Sequence, residues 1–143
     1  MKISKLSIVL EKQDFREWAT QFLRSAVPDS VSIASVALNG TTIVVKGRAE
    51  VLFVKHDFKM EFEMSPAKDG AALFLKLKNA NPLMNGILKA VFPDVAGVEY
   101  SWCDEGISIS INRLLRPMGI SIARLTGVAD DHGSACLDFG KAA

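Results

Sequence analysis

The chain has 143 residues, 49% of them hydrophobic and 23% charged, a composition typical of one globular domain and not of a disordered chain. Its 17 Lys and Arg residues nearly balance 16 Asp and Glu residues, so no charge excess favours nucleic acid or an anionic membrane. Cys103 and Cys136 are the two cysteines, too few for a disulfide framework or a four-cysteine zinc site. We expect a single domain over residues 1–143 with both thiols reduced.

The first ten residues show no targeting signal. Their longest apolar run, Ile8 to Leu10, is too short for the hydrophobic region of a signal peptide. No window approaches the roughly 20 apolar residues that span a bilayer. We therefore expect a cytoplasmic protein without a transmembrane segment, or an exported one if a signal has been removed from the chain.

Two segments have the hydrophobic spacing of amphipathic helices. The first covers about residues 14 to 26, with Asp14 as the N-cap and Pro28 just beyond its end. The second begins at Asn81 and Pro82, a capping residue followed by proline at the first helical position. It is expected to stop at Phe92. The sequence therefore predicts two helices separated by a long stretch of other structure.

Between the helices, apolar and polar residues alternate with a period of two, which is typical of half-buried strands. The apolar parity changes near Ala34 and Ser35, which indicates a β-bulge. Asn39 and Gly40 predict a hairpin. We then expect one unusually long strand reaching Phe53, with Gly47 at a bend or a close backbone approach.

A second hairpin is predicted from His56 to Leu77, with Glu63 opposite Lys76 and Glu61 opposite Lys78. Its inner face would consist of Phe58, Met60, Phe62, Leu73, Leu75 and Leu77. Further alternating segments bring the expected total to about eight strands. Because the connecting turns are short, the predicted fold class is α+β, with a curved antiparallel sheet packed around two helices.

No group of residues has the spacing of an active or metal site. Asp130, Asp131 and His132, with Cys136 nearby, match no standard metal site and are more simply a polar hairpin tip. His56 falls on the apolar parity of its strand, as a partly buried structural histidine would. We find no nucleophile elbow and no glycine-rich phosphate loop. The sequence therefore predicts no catalytic residue, no metal and no cofactor, and a chain that is not an enzyme.

The basic residues suggest at most a local anion contact. Lysines on the strands are diluted by Asp and Glu, so nucleic acid is not an expected partner. Arg113, Arg116 and Arg124 form a looser cluster around Pro117. They are candidates for an anion or lipid headgroup contact, or else ordinary surface charge.

The order of elements resembles the tubular lipid-binding (TULIP-like) superfamily, and within it small prokaryotic LmeA-like domains. The resemblance covers residues 3 to 139 and is one of pattern: a strand leading into a helix, a meander, a helix started by Asn81 and Pro82, and the segment from Asp104 to Leu115. It implies a sheet wrapped around a helix and a lipid held inside. By position it implies a lining of Trp18, Phe22, Phe58, Met60, Phe62, Leu75, Ile87, Leu88 and Val91.

Two functions follow as hypotheses. The first is non-enzymatic binding of a lipid or other apolar ligand in a hydrophobic pocket between sheet and helices, with the arginine cluster at its mouth and peripheral membrane contact. The alternative is a structural or interaction domain with a solid core, which forms a homodimer or docks on a partner through a sheet edge or an apolar patch. The same apolar residues would serve as pocket lining in one case and as core in the other.

Overall fold

The protein is an α+β fold of mostly antiparallel strands with two helices, as the sequence predicts. The computed structural model describes residues 5–27, 29–67, 70–79, 82–91, 98–101, 105–111 and 124–140. Their elements, in chain order, are β1 (Lys5–Leu10), α1 (Lys12–Ala26), β2 (Val31–Asn39), β3 (Thr42–Val51), β4 (Val54–Pro66), β5 (Ala72–Leu77), α2 (Pro82–Val91), β6 (Val98–Ser101), β7 (Gly106–Ser110), β8 (Arg124–Asp131) and β9 (Ser134–Gly140).

The strands form two sheets. One has three strands in the order β1-β9-β8, and the other has six in the order β2-β3-β4-β5-β7-β6. Every strand pair is antiparallel, and neither sheet closes on itself. The sheets meet where β8 lies beside β4 and β5 and where β9 lies beside β2. Both contribute to one hydrophobic core, which includes Leu137 and Phe139 from the smaller sheet.

The central hairpin of β4 and β5 follows the predicted register. Glu63 lies opposite Lys76, and the amide of Lys78 donates a hydrogen bond to the carbonyl of Glu61. The whole predicted inner face is buried, because alternate side chains of a strand point to the same side of the sheet. Period-two alternation therefore identified the core side of both strands.

Other local predictions are also confirmed. The register of β2 against β3 shifts between Ile33 and Ser35, where the bulge was expected. A Cβ at Gly47 would lie 2.3 Å from the carbonyl oxygen of Ser32, so the backbones approach closely there. Pro82 is the first residue of α2, where its missing N–H breaks no helical hydrogen bond.

Two predictions are wrong. Helix α1 starts at Lys12, its N-cap is Glu11, and Asp14 lies in the first turn. A carboxylate is favourable there because the N-terminus of a helix carries partial positive charge, so the residue was correctly linked to the helix start but misplaced. The long strand through Phe53 is also wrong, since β3 ends at Val51 and a tight turn leads directly into β4.

Two side chains cover open strand edges of the larger sheet. The Asn79 amide donates to the carbonyl of Lys59 at 2.7 Å and accepts from the backbone N–H of Glu61 at 3.1 Å, both on β4. Arg24 of α1 donates to the carbonyl of Ile33 on edge strand β2 at 3.2 Å. These contacts occupy backbone groups that would otherwise be open to another strand.

Candidate functional site

The turn between β3 and β4 exposes a cluster of apolar side chains. Leu52 is 88% exposed, Phe53 is 96% exposed and Val54 is 55% exposed. We call these three residues the apolar tip. Of the four large hydrophobic side chains that are strongly exposed in the described part of the chain, three belong to it, and the fourth is Val9. Clustered exposed apolar residues, unlike isolated ones, are typical of surfaces that bind a protein, a ligand or a membrane.

The backbone of the tip adopts an unfavourable conformation for its residues. Val51 pairs with Val54, so Leu52 and Phe53 form a two-residue hairpin loop, with φ values of +51° and +66°. Positive φ at both positions is typical of a type I′ turn, which strongly prefers Asn-Gly, Asp-Gly or Gly-Gly. For other residues the left-handed conformation costs about 1–2 kcal/mol each. The tip therefore keeps two large side chains exposed at a cost in stability.

The β3–β4 ladder holds this turn in place. Ten residue pairs run without a shift from Thr42 opposite Glu63 to Val51 opposite Val54. A neighbouring strand supports β3 as far as Ala49, where β2 begins, and the N–H of Glu50 donates to the carbonyl of Ser30. Only the last pair and the loop extend past this support on the β2 side. The tip is therefore a short projection on a firmly paired hairpin.

The charges around the tip are balanced. Glu50 lies opposite Lys55 in the last pair but one. Two pairs further from the turn, Arg48 Nε donates to Asp57 Oδ1 at 2.8 Å. Both acids and both bases are exposed. The apolar tip is thus followed by four charged residues whose charges cancel. We call these residues, Arg48, Glu50, Lys55 and Asp57, the charged collar.

The turn at the apolar tip was not predicted, because Leu52 and Phe53 are not turn-forming residues. A signal was nevertheless present. Buried side chains occupy odd-numbered positions in β3, as at Ile43 and Val45, and even-numbered positions in β4, as at Phe58 and Met60. In an antiparallel pair with a two-residue loop, odd positions lie opposite even ones, so a change of parity is what such a turn requires. A bulge would produce the same change, so parity alone does not identify a turn between the strand predicted to reach Phe53 and the strand predicted from His56.

All five predicted lining side chains that the structure describes belong to the hydrophobic core. Phe58, Met60, Phe62, Leu75 and Leu88 are 0–5% exposed and share one hydrophobic cluster. Side chains this inaccessible are packed against other protein atoms. Trp18, Phe22, Ile87 and Val91 lie on the two helices, and their side chains are outside the described residues.

One polar atom near this core has no partner. Asn85 Oδ1 on α2 is buried and accepts no hydrogen bond within the described structure. Its neighbours along the helix are Met84, which packs against the core, and Leu88, which is completely buried. Leaving a buried amide oxygen unsatisfied costs about 1–3 kcal/mol. A donor from another molecule would remove that cost.

The predicted headgroup contact is only partly described. Arg124 is exposed at the start of β8, opposite Gly140 of β9. Arg113 and Arg116 lie outside the described residues, so the cluster around Pro117 stays a prediction.

A polar groove of about 590 Å³ runs between α1 and β2. Lys12, Gln13, Arg16, Glu17, Thr20, Gln21, Arg24, Ala34 and Ser35 line it. Charged and amide groups dominate this lining, and Arg24 already bonds to strand carbonyls. The residues that line it include no large apolar side chain, unlike the hydrophobic and aromatic walls expected of a lipid site.

The turn between β8 and β9, which was predicted as a polar hairpin tip, is confirmed. Asp130 Oδ1 accepts a hydrogen bond from the N–H of Gly133 at 2.8 Å, and His132 is fully exposed with Nε2 3.9 Å from Asp131 Oδ1. Cys136 Sγ lies 3.9 Å from Asp138 Oδ1, while Cys103 is outside the described residues. Within the ranges that the structure describes, no three His, Cys, Asp or Glu side chains converge as metal ligands would.

Comparisons with known proteins identify no relative. Neither a family model, nor a curated protein, nor a solved structure matches the chain. The function is therefore inferred from the geometry of the chain itself. In the described part of the chain, neither helix is long and apolar enough to cross a membrane.

Proposed function

We propose that this protein is a non-enzymatic docking domain that contacts an apolar partner through the tip formed by Leu52, Phe53 and Val54. One observation carries the proposal: two large apolar side chains occupy both positive-φ positions of a tight turn and are almost fully exposed. The folded chain gains little from this arrangement. Strained residues that persist in a well-supported turn are frequently functional.

Contact with a partner would offset the cost of the strained turn and of the exposed apolar side chains. Burying a fully exposed Leu or Phe side chain stabilises a complex by about 1.5–3 kcal/mol. The tip presents both side chains, with Val54 beside them, on a hairpin that is already ordered. Little conformational entropy is then lost on binding. The closed packing of Phe58, Met60 and Phe62 agrees with this function, because docking through the tip needs no internal cavity.

Retention of the folded protein on a phenyl-derivatised matrix tests the proposal. Two variants remove the apolar tip: Leu52→Asn with Phe53→Gly, here the turn variant, and Leu52→Ala with Phe53→Ala, the alanine variant. Val9→Thr is the matched control, because Val9 is exposed but lies on β1. We expect both tip variants to elute earlier than the wild type and the control to elute with it. Elution of all four proteins together contradicts the proposal.

A second candidate function is binding of a lipid or similar ligand between the sheet and α2, as the resemblance to the tubular lipid-binding superfamily implies. The unpartnered Asn85 Oδ1 favours it, because a ligand hydroxyl or protonated carboxyl group could donate to this atom. Met60 and Met64 in the adjoining core are flexible side chains that can adjust around a guest.

Native mass spectrometry of the freshly purified protein, followed by organic extraction, tests this second function. A stoichiometric lipid that is lost in Asn85→Leu supports it. A clean mass of the chain alone, with no thermal shift on adding fatty acids or phospholipids, contradicts it. Neither result depends on the tip, so the two functions can be separated.

A further inference from the structure

We propose that the partner of the apolar tip is a lipid bilayer, into whose interface Leu52 and Phe53 insert. This inference rests on the proposed docking function and specifies its partner. The observations that favour it are the small area of the tip, the position of its charged collar and the neutrality of that collar.

The tip alone is smaller than a standard protein interface. Its three side chains supply on the order of 400 Å², about half of the roughly 800 Å² that each partner buries in such an interface, so a protein partner would also have to cover the charged collar. Adjoining surface is charged rather than apolar, since Glu50 and Lys55 follow directly on the two strands. A second copy of the chain meeting tip to tip would have the same shortage. A bilayer needs no matching surface, because its acyl chains adapt to whatever shape enters.

The position of the charges sets a depth of insertion. Glu50 and Lys55 lie two residues from Leu52 and Phe53, or about 7 Å along the strands. Peripheral elements that lie in the interface bury their apolar groups about 5–10 Å into the boundary between headgroups and acyl chains. With the tip at that depth, the charged collar would stay among the hydrated headgroups. The sequence of apolar tip and charged collar therefore matches the change from acyl chains to headgroups across this boundary.

The neutrality of the collar indicates which lipids the tip binds. Arg48 pairs with Asp57, and Glu50 faces Lys55, so the collar presents no net positive charge to anionic headgroups. Binding then comes from burial of apolar surface. We expect it to occur on neutral phosphatidylcholine, to respond weakly to salt, and to gain little from anionic lipid.

Flotation of the whole protein with phosphatidylcholine vesicles tests the inference. We expect the wild type and the Val9→Thr control to float with the vesicles. The turn variant and the alanine variant should partition at least about tenfold more weakly, as expected when two inserted apolar side chains are lost. Phe53→Trp should retain binding and show a blue shift of its fluorescence with vesicles, because tryptophan also favours the interface. Raising the salt tenfold should change wild-type partitioning less than twofold.

Two outcomes would overturn the bilayer assignment. They are wild-type protein that stays unbound at high lipid and tip variants that float as well as the wild type. Binding that requires anionic lipid and disappears in salt would instead refute the expectation drawn from the neutral collar. The phenyl matrix separates this failure from failure of the docking function. Tip-dependent retention without flotation would leave docking in place and point to a protein partner, whereas loss of both would refute both.

Discussion

Replacing Leu52 and Phe53 by Asn and Gly should stabilise the protein while it abolishes docking. At φ values of +51° and +66° the two native residues each cost about 1–2 kcal/mol. Asn and Gly tolerate these angles, and they are the preferred pair for a type I′ turn. Glycine reduces this gain by about 0.5–1 kcal/mol, because it has more conformational freedom in the unfolded chain. The net expectation is a free energy of unfolding that rises by about 1–3 kcal/mol.

Urea titration and thermal melting measure this change directly. For a chain of this size the expected increase corresponds to a rise in Tm of about 3–10 °C. The alanine variant is the control, because alanine removes the apolar surface but keeps a Cβ at positive φ. Its stability should stay close to that of the wild type. A turn variant no more stable than the alanine variant would refute the claim that the tip is held in a strained conformation.

Three further predictions concern the core, the β2–β3 contact and one carboxylate. Phe62→Asp should prevent folding, as seen by circular dichroism, because it places an unpaired charge in a side chain position that is 1% exposed. Gly47→Ala should lower the urea midpoint, because its Cβ would meet the carbonyl oxygen of Ser32 at 2.3 Å. The hydroxyl of Thr41, which donates to Glu63 at 2.5 Å, is the main cause that lowers the pKa of that carboxyl group. A lowered pKa of Glu63 stabilises the folded state at pH values above the ordinary pKa of the carboxyl group. This contribution is lost as the pH falls through the pKa of the folded state. Thr41→Val should therefore raise the Glu63 pKa in an NMR titration and weaken the loss of stability on acidification; an unchanged pKa would contradict this assignment.

The core was predictable wherever one simple periodicity applied. Alternate residues of β4 and β5 are buried as expected, because a strand buried on one face must place every second side chain inside. The bulge in β2 and the start of α2 were also visible, since each leaves a local mark: a change of parity in one case and proline at the first helical position in the other.

The candidate site was not predictable in the same way. Leu52 and Phe53 continue a hydrophobic run, and on propensity they belong inside a strand. The turn forms there because ten paired residues on each side fix the hairpin and impose positive φ on whatever occupies the loop. Tertiary pairing thus overrides the local preference. Such conflicts between local and global structure are expected at functional positions.

Whether the predicted lining residues form a filled core or a ligand pocket was undecided for a different reason. Phe58 and Leu88 would be apolar in a filled core and in a ligand tube alike, so residue type cannot separate the two. Accessibility separates them, and the described lining is closed. The unpartnered oxygen of Asn85 could not be anticipated either, because the satisfaction of a buried amide depends on neighbours that are distant in the sequence.

Site-resolved NMR can show whether the apolar tip is the part of the protein that enters a bilayer. The ¹⁵N-labelled protein would be mixed with neutral bicelles whose lipids carry a spin label in the acyl chain, so that amides near the label broaden. We expect broadening confined to Leu52, Phe53, Val54 and their immediate neighbours, with the β2 edge and the groove beside α1 unaffected. Broadening centred on another surface, or no broadening at all, would refute insertion of the apolar tip.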